Sequence, residues 1–156
     1  MEALAVRNLT VTYPECDTPV LNGLSLTNTN GAAINNQCKK RTFVVVNGSN
    51  TLADGSSYTD TPSDEDEKGA LFSEGQLVFS GNGSLTVTAS GKGGIVSDDY
   101  VRFMSSPTIS VTSSAGHAIR GKDAVIVSNG IMVGAFEGFL WSYGEFGTST
   151  DRKSVV

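Results

Sequence analysis

Two pairs of carboxylates in this chain recur at a fixed distance. Glu74 and Asp98 are 24 residues apart, as are Asp99 and Asp123. Stacked on neighbouring strands about 4.8 Å apart, each pair repels by roughly 1 kcal/mol at a water-like dielectric. A calcium ion with Ca–O distances near ~2.4 Å reverses that sign. The alternative is that each Asp closes a strand in an Asx-type turn and faces water. Tyr100 and Arg102, two residues apart, point the same way if they share a strand. A tyrosine ring stacks on a sugar ring, and a guanidinium pairs with a carboxylate in bidentate fashion. The alternative is an ordinary solvated face.

These groups need a frame that repeats at the same spacing, and residues 68–127 supply one. KGALFSEGQLVF, KGGIVSDDYVRF and GHAIRGKDAVIV begin at Lys68, Lys92 and Gly116, without gaps. Between them GNGSLTVTAS aligns with SSPTISVTSS. A fixed period of this size marks stacked units. Inside each unit the apolar residues alternate with period two, which makes strands with one buried face. Short third strands are expected at 70–72, 94–96 and 118–120. Three strands per unit give a right-handed parallel β-helix with about 24 residues per coil. The expected inward columns are Leu71–Ile95–Ile119, Leu77–Val101–Val125, Phe79–Phe103–Val127, Leu85–Ile109–Val133 and Val87–Val111–Ala135.

Residues 1–156 read as one domain, with regular coils over 68–136. Earlier strands are expected at 5–13 and 20–26, and 41–46 is the counterpart of the strand ending at Phe79. Residues 55–68 (GSSYTDTPSDEDEK) break the rhythm with a crowd of acids that includes Asp64 and Asp66. This segment reads as a loop projecting from one corner, either solvated or holding calcium; it lacks the EF-hand spacing. Residues 136–146 (FEGFLWSYGEF) read as an insertion inside a coil: a hydrophobic flap, an aromatic sugar platform through Trp141 and Tyr143, or a stretch of poor fit. No capping helix is evident at either end. A segment of a longer β-helix is therefore expected, or, if the chain is whole, association end to end.

Composition narrows the partners. The formal charge is −5, which disfavours nucleic acid and anionic membrane surfaces, because phosphate contacts need clustered Lys and Arg. No apolar run approaches the ~20 residues of a membrane span. Cys16 and Cys38 allow one disulfide or two separate thiols. The N-terminus shows no signal-peptide pattern, which fits either a cytoplasmic chain or one that begins inside a longer gene product. The lone His117 sits at a corner, where neither a catalytic triad nor a zinc site has its partners.

Over about residues 43–130, and most closely at KGALFSEGQLVFSGNGSLTVTASGKGGIVSDDYVRF, the chain resembles bacterial carbohydrate-binding domain proteins of parallel β-helix type. The resemblance implies a secreted or surface-attached protein, calcium along the helix, and affinity for plant-type polysaccharide such as acidic pectins or cellulose. It also implies a kinship in fold with polysaccharide lyases. The expected function is a non-catalytic, calcium-assisted carbohydrate-binding module. The sugar residues would be Tyr100, Arg102, Trp141 and Tyr143, and the metal residues Glu74, Asp98, Asp99, Asp123, Asp64 and Asp66. An adhesive or structural β-solenoid is the second reading. A calcium-dependent lyase is the third; Lys92, Arg102, Arg120 and Lys122 are available as bases, and nothing marks one of them.

Overall fold

The computed structural model describes residues 9–10, 20–59, 61–104, 107–128, 131–135, 140–142 and 146–148. Among them the chain forms strands and no helix. In chain order these are β1 (Leu9–Thr10), β2 (Val20–Asn22), β3 (Ser25–Thr27), β4 (Ile34–Asn36), β5 (Thr42–Asn47) and β6 (Ser49–Ala53). There follow β7 (Gly69–Ser73), β8 (Leu77–Gly81), β9 (Ser84–Ala89), β10 (Gly93–Ser97), β11 (Tyr100–Phe103) and β12 (Thr108–Ser113). The last are β13 (Ile119–Gly121), β14 (Ala124–Val127), β15 (Ile131–Ala135), β16 (Leu140–Ser142) and β17 (Phe146–Thr148). No helix of the described residues is long and apolar enough to cross a membrane.

The chain visits three sheets in turn. One runs β1-β2-β5-β8-β11-β14-β17, the second β4-β7-β10-β13-β16, the third β3-β6-β9-β12-β15. All pairs are parallel except β1 with β2. This is consistent with a parallel β-helix. Ile95 pairs with Leu71 and Ile119, and Val101 with Leu77 and Val125, so these partners are 24 residues apart. All six are buried in one core cluster. Phe79 and Phe103 stack within it, ring centroids 5.0 Å apart and planes 21° apart. An offset pair of this kind contributes about 0.5–1.5 kcal/mol beyond its burial.

The period holds through β12 and then shortens. Ile109 pairs with Met132 and Val111 with Gly134, in place of the expected Val133 and Ala135. The turn entering β15 has one residue fewer than the turn entering β12, and a one-residue slip exchanges the two faces of a strand. Residues 136–146 also differ from expectation. They contain β16, which pairs with β13, and reach the start of β17, which pairs with β14. The segment therefore carries the next rung, at a step of 21 residues from Ile119 to Leu140, and is not an insertion.

The acidic loop lies down on the second sheet and does not project. Asn35 Nδ2 donates to Glu65 Oε2 (2.9 Å) and Glu67 Oε1 (3.1 Å). Glu67 Oε2 accepts from Thr61 Oγ1 (2.9 Å) and from the backbone N of Ala32 (3.2 Å). Gln37 Nε2 donates to the Asp66 carbonyl at 2.7 Å. Phe72 and Val96, in register with Asn35, are 0% and 1% exposed yet stand outside the main core cluster. The loop gives this sheet a second buried face. Cys38 is an exposed free thiol, and Cys16 lies outside the described residues.

Candidate functional site

The first sheet presents the sugar candidates. In β11 the alternation sends Val101 and Phe103 into the core and leaves Tyr100 and Arg102 half-buried on the outer face. In register with Arg102 stand Val78 and Ile126, and Phe43 lies beyond Val78. Val78 is buried between its neighbours, whereas Phe43 is 45% exposed. Met104, whose N continues the ladder to the Phe79 carbonyl at 2.9 Å, is 44% exposed. Phe43 and Met104 are the exposed large hydrophobics of the described residues, and both flank Arg102. The Arg41 guanidinium lies over the Tyr100 ring, 5.9 Å from its centroid. The face thus combines two guanidinium groups, a phenol and apolar patches.

Arg102 also carries an unmet donor. Its Nε is buried and has no hydrogen-bond partner among the described residues. Leaving a buried donor unsatisfied costs about 1–3 kcal/mol, and more for a charged group. Buried polar atoms that stay unpaired in native folds are rare and call for an explanation. An oxygen acceptor from a bound molecule supplies one.

The metal candidates divide into two groups. One carboxylate oxygen from each of Asp66, Glu74 and Asp98 lies within 4.8 Å of the other two. Lys68 Nζ already occupies this corner. It pairs with Asp66 at 2.8 Å and with Asp98 through a short hydrogen bond, and it stands 5.4 Å from the centroid of Phe72. The hydrogen bond from Lys68 holds the Asp66 carboxyl below its ordinary value of 3.8. Burial alone would lower Lys68, but the bonds to Asp66 and Asp98 outweigh it and raise it above its ordinary 10.5. As they stand the donors do not fit a resident calcium ion: two of the three are bonded to an ammonium, and calcium takes about six to eight oxygens.

The other pair behaves as a turn. The Asp99 carboxylate accepts from Tyr100 N at 2.8 Å and from Gln76 Nε2, and the Asp123 N donates to the Asp99 carbonyl at 3.0 Å. Asp99 and Asp123 are thus linked through backbone, and neither joins the acidic convergence. Asp64 is exposed and also stands apart from it. Trp141 is in register with Arg120 on the second sheet, away from the sheet of Tyr100 and Arg102. Tyr143 lies outside the described residues.

Phe43, Arg41 and Met104 were not among the sequence candidates. The signal for Phe43 was present: carrying the outward parity of Val78 back through RTFVVV lands on it. The acidic loop hides the match by stretching that step to 35 residues, Phe43 to Val78.

A family model for carbohydrate-binding domain-containing proteins matches residues 14–135. The chain belongs to that family. The match spans all of the strands that build the Tyr100–Arg102 face from β5 to β14. Among solved structures, a polysaccharide lyase-like protein from C. thermocellum, in its gadolinium derivative, is similar to this member of the family. The two share 21% identity over 83% of this chain and 73% of that one, with a TM-score of 0.52. At that identity the likeness is one of fold. A comparison with curated proteins returned no match.

Proposed function

We propose that this chain is a non-catalytic carbohydrate-binding module, acting outside the cell or at its surface on a cell-wall or dietary polysaccharide. Its frame is read as a right-handed parallel β-helix, and its binding surface as the outer face of the first sheet. The observation that carries the reading is the buried, unpaired Nε of Arg102 beside Tyr100, Phe43 and Met104. Sugar rings have apolar C–H faces that pack on Tyr100 and Phe43, while Arg102 and Arg41 take hydroxyl or carboxylate oxygens. Two guanidinium groups on an otherwise acidic molecule favour a polysaccharide that carries uronate groups. Membership of a carbohydrate-binding domain family supports a binding role over a catalytic one. No part of this reading passes through a calcium ion.

The test is binding to polygalacturonate and to a neutral glucan by calorimetry and affinity electrophoresis. Arg102→Ala and Tyr100→Ala should each weaken binding by about 10- to 100-fold, the range expected when a charge-assisted hydrogen bond or an aromatic anchor is lost. Wild-type protein that binds neither polymer, or variants that bind as the wild type does, would overturn the reading and leave the adhesive one. Growth of ultraviolet absorbance from an unsaturated product would point to a lyase.

A further inference from the structure

Three carboxylates that converge need a positive charge among them, and the acidic corner has one of its own. Lys68 Nζ reaches Asp66 and Asp98 at the place where their oxygens and that of Glu74 come together. Its pairs join the loop to β10: Asp66 belongs to the loop, and Asp98 directly follows that strand. One repeat later Lys92 acts on the same loop. Its Nζ donates to the Glu67 carbonyl and stands 4.5 Å from the centroid of the Tyr58 ring. Tyr58 in turn donates to Asp54 Oδ2 at 2.8 Å. Beneath the loop lie Phe72 and Val96, apolar residues of the sheet that would otherwise face water.

We propose that Lys68 is the resident cation of this corner, standing where a divalent ion would and clipping residues 61–68 over the second sheet without metal. The amino group supplies directed N–H donors to two carboxylates at once, and its position over Phe72 adds a cation–π contact. The clip joins groups already held on rigid strands, so closing it orders little besides the loop itself. The proposal stands independently of the sugar-binding reading, since no residue of the Tyr100–Arg102 face takes part.

The experiment is hydrogen exchange at the Thr59 and Glu65 amides, which bond to the Asn30 and Pro62 carbonyls, combined with calcium calorimetry and terbium luminescence. The wild type should show no change with calcium or chelator. Lys68→Met should open the loop, with exchange about tenfold faster, and should gain affinity for calcium and terbium, which restore protection. Adding Asp98→Asn to that variant should abolish the rescue. Lys68→Arg, which keeps the charge, should stay closed. Asp66→Asn, a change at the exposed end of the pair, tests the clip without touching the packing on Phe72 and should speed exchange about threefold. The proposal is overturned if calcium slows loop exchange in the wild type and a chelator reverses it. It is equally overturned if Lys68→Met neither quickens exchange nor takes up terbium.

Discussion

Asn50 is a buried side chain whose four polar contacts tie three turns together. Its Oδ1 accepts from Leu24 N at 3.0 Å, and its Nδ2 donates to the carbonyls of Asn47 (2.9 Å), Gly48 (3.4 Å) and Ser84 (3.1 Å). Replacing it with alanine strands the Leu24 N–H away from water. Asn50→Ala should cost about 2–4 kcal/mol, read from the midpoint of urea unfolding. Lys68 and Asp66 make a second prediction at this scale. An acid with a depressed folded value adds stability above its ordinary 3.8 and loses it as pH falls. A lysine with a raised folded value adds stability below its ordinary 10.5 and loses it as pH rises. Loop closure should therefore be flat from about pH 5 to 9 and weaken on both sides. Side-chain NMR titration checks this: Lys68 must lose its proton later than an exposed lysine.

Strand pairing constrains single residues in a different way. Gly81 closes β8 with φ at +105°, and a Cβ there would fall 2.2 Å from the Val46 carbonyl oxygen. Gly81→Ala must both strain its own backbone and push β5 from β8. It should lower the melting temperature by about 5–10 °C, measured by circular dichroism. The columns through Leu71, Leu77 and Phe79 were legible in the sequence because parity and period together leave one arrangement. The folded-down loop was not. Asn35 meets Glu65 and Glu67 across 30 and 32 residues through lone side-chain bonds that obey no period. Its one trace was in GALF and GGIV, where apolar residues run on without alternating, as they do in strands buried on both faces. The Tyr100–Arg102 face was half legible. Parity identified the two residues, but the unpaired Nε depends on how neighbouring rungs crowd it.

Across the whole molecule, stability should follow the number of neighbours each rung has. Strands β7 to β12 have described partners on both sides, so their amides should exchange most slowly, and protection should fall toward either end. Native-state hydrogen exchange tests this, and uniform protection along the chain would contradict it. Nearly all pairing joins residues 21 or more positions apart, so refolding should be slow for a chain of this size, in the range of milliseconds to seconds or longer. Stopped-flow fluorescence of the aromatic residues would time it.

The equal steps from Leu71 to Ile95 and from Ile95 to Ile119 also bear on how such a gene can change. A duplication of codons 92–115 would lengthen the protein by one rung, about 4.8 Å, and every downstream partner would find the same neighbour as before. Losing a single codon in that stretch would turn inside to outside for all that follows. Unequal recombination can therefore lengthen this protein in whole rungs, while shorter frame-preserving changes are filtered out by the hydrogen-bond ladder.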